Sequence, residues 1–154
     1  MKKIFCSFIA LCLLSFSACA QSQKSTKEDS DMTSTKINVT VNGIINTATL
    51  VDNSSTKALV ELLKKGDVIV HTDDYGGFEK VGEFGSTLPQ NNTRINTNPG
   101  DIILYLGNKI CFYYGTNSWN FTRLGKLDMT DEKEIRKFLN AGNGNTEIVL
   151  RLLK

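Results

Sequence analysis

Two neighbouring stretches of the chain alternate apolar and polar residues with a period of two, which is typical of a β-strand that buries one face. The alternating positions are Ile37, Val39 and Val41, then Ile45, Thr47, Thr49 and Val51. Between them lies Asn42-Gly43, a dipeptide that favours the tight turn of a β-hairpin. We therefore predict that the folded part of the chain opens with a hairpin.

Two later stretches carry helical signals. Residues 52–55 can cap a helix whose leucines recur at one-turn spacing until Gly66 ends it. A second helix is predicted from Thr130 to Gly142, with acidic residues in its first turn. The side chains expected to face inward are Ala58, Leu59, Leu62, Leu63, Ile135, Phe138 and Leu139.

The remaining apolar runs are short and resemble strands. They cover residues 68–72, 78–84, 94–96, 101–106, 109–114, 121–127 and 146–152, and residues 73–99 otherwise read as long loops. Helices are too few to cover a parallel sheet. The pattern therefore predicts a mainly β fold, an antiparallel barrel whose two openings are plugged by the helices.

The first 18 residues have the pattern of a signal peptide. Lys2 and Lys3 precede an apolar run over residues 4–16, which is shorter than the roughly 20 residues of a membrane-spanning helix. Phe16-Ser17-Ala18-Cys19 resembles a bacterial lipobox, although leucine is usual where Phe16 stands. The resemblance implies that Cys19 carries fatty acids such as palmitate; ordinary cleavage at Ala18-Cys19-Ala20 is the alternative.

A polar tether is predicted between the leader and the folded domain. After Cys19, residues 20–35 contain no Val, Ile, Leu, Phe, Tyr or Trp and bury too little to order themselves. Three segments follow: signal peptide 1–18, lipidated cysteine and tether 19–35, and domain 36–154. We expect a monomer in the bacterial cell envelope, extracytoplasmic or periplasmic, whose partner is the membrane that holds its lipid anchor.

Charge and cysteine content argue against a nucleic-acid-binding protein and against a disulfide-stabilised one. Loss of the leader removes two of the 18 basic residues and leaves 16 of each sign, which does not favour nucleic-acid binding. Cys6 and Cys12 leave with the leader and Cys19 is lipidated, so Cys111 remains alone and no disulfide is expected. Because Cys111 lies in a strand-like run, we predict a buried, inert thiol.

Five segments of the domain are similar to the bacterial cyclophilin-like domain family in order and spacing. They are residues 47–53, 58–63, Leu88-Pro89, 99–105 and 121–127. The resemblance extends over the whole of residues 36–153. The resemblance implies a closed eight-stranded antiparallel β-barrel with a helix at each end, and it does not imply the activity of true cyclophilins.

Prolyl isomerisation requires an apolar pocket and a guanidinium that stabilises the twisted amide. Arg94 and Arg123 are the candidate arginines, but Gly76-Gly77-Phe78 lacks the preceding glutamine of true cyclophilins. His71 is the only histidine, so imidazole-based metal sites and Cys-His pairs lack parts, and we expect no metal or cofactor. We interpret Asp73, Asp74, Glu79 and Glu83 as solvated loop carboxylates.

Aromatic residues crowd into residues 105–121. Half of them must be core, and Trp119, in an apparent Gly-Thr-Asn-Ser loop, is the first candidate for a ligand contact. The residues expected to bind a ligand are Phe78, Phe84, Tyr113 and Trp119. We predict a tethered binding module for a peptide segment or small molecule without catalysis; the alternatives are a divergent peptidyl-prolyl isomerase and an interaction domain without a pocket.

Overall fold

The structure, a computed structural model, describes residues 34–153. The predicted signal peptide, the predicted lipidation site Cys19 and nearly all of the predicted tether lie outside the described residues. The described elements, in chain order, are β1 Lys36–Val41, β2 Ile44–Leu50, α1 Ser54–Lys65, β3 Val68–Tyr75, β4 Glu79–Glu83, β5 Thr93–Asn96, β6 Asp101–Tyr105, β7 Lys109–Tyr113, β8 Ser118–Leu127, α2 Glu132–Phe138 and β9 Thr146–Leu152.

Eight of these strands close into an antiparallel barrel, which confirms the predicted fold. The neighbours run in the order β2-β1-β9-β3-β4-β7-β6-β8, and β8 pairs again with β2 to close the ring. The remaining strand, β5, pairs with the first residues of β8 outside this ring. The closing pair approaches very closely at Gly125, where a Cβ atom would lie 2.4 Å from the Thr49 carbonyl oxygen. Only glycine fits that crossing.

The opening hairpin forms as predicted, but the interpretation of its second strand was wrong about the buried face. Asn42 and Gly43 both have positive φ angles, as the two-residue turn requires, and the turn pairs Val41 with Ile44 and Ile37 with Ala48. Residues paired directly share a face of the sheet. Ala48 and Leu50 therefore point inward, and Ile45 is exposed. The two-residue turn sets this register.

Each helix closes one end of the barrel. Asn53 and Thr56 form a reciprocal capping box at the start of α1. The Ser55 hydroxyl donates to the Pro89 carbonyl beside the β6–β7 turn. At the other end of the same two strands, Arg136 of α2 donates to the Tyr114 carbonyl. The helices therefore lie at opposite openings, as predicted.

The barrel interior is one apolar cluster to which both helices contribute. Leu62, predicted to face inward, is only half-buried, because Leu59 and Leu63 take the innermost positions of α1. The buried members are Ile37, Val39, Val41, Ala48, Leu50, Leu59, Leu63, Val70, Phe84, Leu88, Ile102, Leu104, Ile110, Phe112, Tyr114, Leu124, Leu127, Ile135, Phe138, Leu139, Ile148 and Leu150.

A second apolar cluster lies on the outer face of the barrel, and this outer cluster positions the candidate site. Its buried members are Ile95, Ile103, Cys111, Tyr113 and Phe121, with Phe78, Val81 and Tyr105 packed against them. Strand β7 therefore buries both of its faces, with Ile110 and Phe112 in the interior and Cys111 and Tyr113 outside.

Candidate functional site

A cavity of about 350 Å³ opens on the outer face of the barrel, beside the outer cluster. Strands β3, β4, β6, β7 and β8 contribute to this outer cavity. Its lining residues are Tyr75, Glu79, Val81, Tyr105, Lys109, Tyr113, Asn117, Trp119 and Phe121. Tyr75 and Trp119 are 62 % and 58 % exposed, so two aromatic rings remain in contact with solvent. A volume of this size suits a small ligand or a few side chains of a peptide.

The aromatic wall of the outer cavity is held by ring-to-ring packing. Tyr113 stacks on Phe78 with 6.0 Å between ring centroids and 10° between ring planes. Phe121 meets Tyr113 edge-on at 6.1 Å and Tyr105 edge-on at 5.9 Å. Such pairs stabilise by about 0.5–1.5 kcal/mol each beyond their area of burial. The wall therefore has a defined shape before any ligand arrives.

Two polar atoms at this wall are buried and unpaired. Glu79 and Tyr113 face each other in the β4–β7 ladder, and Glu79 is only 7 % exposed. Neither Glu79 Oε2 nor the Tyr113 hydroxyl makes a hydrogen bond of normal geometry among the described residues, although the Tyr113 hydroxyl lies close enough to the Glu79 carboxyl to influence its pKa. An unsatisfied buried polar group costs about 1–3 kcal/mol, so native proteins rarely leave one without a reason. A ligand in the outer cavity can supply the missing partner.

Burial governs the ionisation of this group of side chains. Burial raises the pKa of Glu79, and the neighbouring Tyr113 hydroxyl and Cys111 thiol offset part of that rise. Burial, together with Glu79, also raises the pKa of Tyr113 and of Cys111. A thiol with a raised pKa is a poor nucleophile. Cys111 is buried and free, as predicted, and is not suited to covalent chemistry.

The outer cavity has one positively charged lining residue, Lys109. Its Nζ lies 3.9 Å from Glu83 Oε1, so a neighbouring carboxylate already faces it. Lys109 pairs with Glu83 and Tyr113 pairs with Glu79, which places the two pairs at opposite ends of the β4–β7 ladder. Four strand residues span roughly 13 Å. The cavity therefore has a carboxyl group at one end and an ammonium group at the other.

The structure brings some of the predicted ligand residues together and separates others. Tyr113 and Trp119 line the outer cavity, and Phe78 lies behind Tyr113. Trp119 stands on β8, although we predicted a loop, because β5 pairs with that part of the chain and extends the strand. Phe84 points into the barrel interior. Its place in the interior cluster separates it from the cavity.

The two candidate arginines lie away from the lining. Arg94 is exposed on β5, where its neighbour Ile95 takes the buried position. Arg123 Nη1 lies 2.6 Å from Oδ1 of the buried Asp101. The Arg94 side chain is therefore exposed to solvent, and the Arg123 side chain forms an ion pair with Asp101.

The interpretation of the acidic residues as solvated loop carboxylates was wrong for Glu79 and Asp74. Glu79 lies buried on β4. Asp74 lies on β3 and binds Lys80, whose side chain is fully buried, with 2.9 Å between Lys80 Nζ and Asp74 Oδ2. The Tyr114 hydroxyl and the Gly142 and Gly144 amides also donate to Asp74. Partial burial alone would raise the pKa of Asp74, but these hydrogen bonds outweigh it and lower the pKa to about 2.

The local sequence around Glu79 gives little indication that this carboxylate is buried. Residues 79–83 alternate weakly and contain three charged side chains in five residues, which is typical of a surface strand or loop. Their burial follows from pairing with β7, far along the chain. A signal could have been found in Tyr113, since a tyrosine predicted on the outer face of an apolar strand needs a polar partner nearby.

Residues 34–153 show neither a candidate metal site nor a membrane-spanning helix. Their His, Cys, Asp and Glu side chains form no group of three that could hold a metal ion. The described helices include none that is long and apolar enough to span a membrane.

The fold is a closed antiparallel β-barrel of the cyclophilin-like class. The model of the cyclophilin-like family matches residues 39–151, and the chain belongs to this family. The solution structure of the hypothetical protein AF2241 from Archaeoglobus fulgidus is similar in fold, with a TM-score of 0.57 and 10 % identity. The match covers 78 % of this chain and 95 % of that one. A search of curated protein sequences found no match.

Proposed function

We propose that this protein is an envelope-tethered cyclophilin-like module that binds a small molecule or a peptide segment in its outer cavity, without catalysis. The unpaired Glu79 Oε2 and Tyr113 hydroxyl, buried at an aromatic wall, carry this proposal. An empty apolar cavity would need no such groups, whereas a ligand that fills the cavity can satisfy both.

The proposed tether rests on the sequence. A basic start, an apolar run of 13 residues and Cys19 followed by a polar segment together favour a lipid anchor in a bacterial envelope. With such an anchor the polar segment would link the barrel to the membrane.

Isomerase activity is the less favoured function for a specific reason. The described residues that line the outer cavity include no arginine, and Arg94 and Arg123 are positioned elsewhere. The positively charged residue that does line the cavity is Lys109. Its ammonium group lacks the planar set of donors with which a guanidinium can bind an amide. The lining therefore favours binding over stabilisation of a twisted prolyl amide.

Trp119 provides a direct test, because it is the only tryptophan and it lines the outer cavity. Its fluorescence should change saturably when the full-length protein, in a non-ionic detergent, is titrated with a panel of amines, carboxylic acids, alcohols and proline-containing peptides. Tyr113→Phe should weaken the binding of the responding compound. No response to any compound would contradict the proposal.

A prolyl-isomerisation assay on the same preparation separates the two functions. We expect no turnover of proline-containing peptides. Turnover that disappears in Arg94→Ala or Arg123→Ala would establish the isomerase instead.

A further inference from the structure

The outer cavity combines a buried carboxyl group with aromatic rings on several sides. Glu79 lies in the lining together with five aromatic residues from four strands. The aromatic members are Tyr75, Tyr105, Tyr113, Trp119 and Phe121. Faces of such rings carry partial negative charge and attract cations, most strongly where water is excluded.

The carboxyl group of Glu79 lacks a counter-ion of its own. No described Lys, Arg or His side chain lies within 4.0 Å of it. Lys80, its neighbour in sequence, faces the barrel interior and is bound to Asp74. Lys109, the nearest cation in the lining, lies at the far end of the β4–β7 ladder beside Glu83. A buried carboxylate without a cation is costly, and a ligand cation would remove that cost.

We propose that the outer cavity binds an organic ammonium ion, with the Glu79 carboxylate as its counter-ion and the aromatic rings as its wall. This inference rests on the ligand-binding function proposed above and names the chemical class of the ligand. The Tyr113 hydroxyl, unpaired beside Glu79, would donate to the same carboxylate or accept from an N–H of the ligand. The ammonium group can belong to a free small molecule or to a lysine side chain of a peptide, which present the same chemistry.

Two matched pairs of probes test the proposal by the fluorescence of Trp119 in the full-length protein. The first pair is choline and 3,3-dimethylbutan-1-ol, which replaces the charged nitrogen by carbon. The second pair is Nα-acetyl-lysine methylamide and its norleucine analogue. We expect the charged member of at least one pair to bind at least about tenfold more tightly than its neutral partner. Preference in the first pair points to a free ammonium compound, and preference in the second to a peptide.

Glu79→Gln should abolish that preference, because it removes the negative charge and keeps a side chain of nearly the same size. Glu147→Gln is the matched control, because Glu147 is an exposed glutamate on β9, which does not contribute to the lining. It should retain the preference. Equal affinity within both pairs, or a preference that survives in Glu79→Gln, would overturn the inference.

The same titrations separate this inference from the function on which it rests. Binding of neutral probes without a preference for charge would refute the ammonium ligand and support a binding cavity. Absence of any response, both here and with the wider panel, would refute both.

Discussion

Glu79 and Tyr113 lie directly opposite each other on β4 and β7, and Glu79 Oε2 and the Tyr113 hydroxyl are both buried without a hydrogen-bond partner among the described residues. The Glu79 carboxyl and the Tyr113 hydroxyl are therefore neighbours on the outer face of the barrel. Their burial makes the stability of the barrel depend on the protonation of Glu79.

We expect Glu79→Gln to raise the stability of the protein at neutral and alkaline pH. Burial raises the pKa of Glu79, so the folded state favours the protonated form. The protonated Glu79 side chain therefore makes its full contribution to stability below the ordinary glutamate pKa of 4.5. That contribution is lost as the pH rises through the pKa that Glu79 has in the folded state. Urea denaturation at pH 4 and pH 8 should show a difference between variant and parent only at pH 8. An equal difference at both values would contradict this account.

Asp74→Asn should destabilise the barrel by about 2–4 kcal/mol at pH 7, because it leaves the fully buried Lys80 ammonium without its carboxylate. The hydrogen bonds that hold the Asp74 pKa near 2 stabilise the fold above the ordinary value of 3.8, and this stabilisation is lost as pH falls through about 2. The gap between parent and variant should therefore narrow in acid. The urea midpoints of parent and variant at each pH measure this difference in stability. Asp73→Asn, at an exposed neighbouring position, is the control and should change stability very little.

Leu59→Ala should cost about 2–5 kcal/mol of stability, because Leu59 is fully buried where α1 meets the interior cluster. Leu62→Ala on the same helix should cost clearly less, since Leu62 is only half-buried. Chemical denaturation of both variants checks the ranking. Equal losses of stability in the two variants would show that α1 does not bury Leu59 in preference to Leu62.

Sequence patterns predicted the parts of this molecule that depend on neighbouring residues. The Asn42-Gly43 turn, the capping residue Asn53 and the buried Cys111 can all be read within a few positions. The buried face of β2 could not be read so directly, because Ala48 is small and Ile45 is a better apolar candidate. The turn register decides in favour of Ala48.

The candidate site was predictable only in part, for a related reason. Tyr113 and Trp119 stand out as aromatic residues and do line the outer cavity. Glu79 and Lys80 look like surface charges in the sequence. Their burial arises from pairing with β7, more than 30 residues further along the chain, and Lys80 is held there by Asp74 on the neighbouring strand β3. Phe84 and Phe78 are alike in sequence, and only the pairing of β4 places one inside the barrel and the other beside the cavity.

Cys19→Ala should release the protein from the membrane into the soluble fraction and leave the fold unchanged. The reason is that a lipid chain on Cys19 is the proposed anchor, and residues 20–35 contain no Val, Ile, Leu, Phe, Tyr or Trp that could replace it. Membrane fractionation and circular dichroism measure the two effects. Cys12→Ala, inside the leader, is the matched control and should remain membrane-bound. Unchanged association of Cys19→Ala would refute the anchor.

Trp119→Ala should weaken ligand binding while changing the free energy of unfolding by no more than about 0.5 kcal/mol, because the ring is 58 % exposed at the outer cavity. Phe121→Ala, two residues further along β8, should instead cost about 3–5 kcal/mol, since Phe121 is 3 % exposed and packs edge-on against both Tyr105 and Tyr113. Calorimetric titration with the compound that responds in the fluorescence panel measures affinity without the tryptophan, and urea denaturation measures stability. A Trp119→Ala variant that unfolds would place the ring in the structural core, and one that binds as tightly as the parent would remove Trp119 from the site.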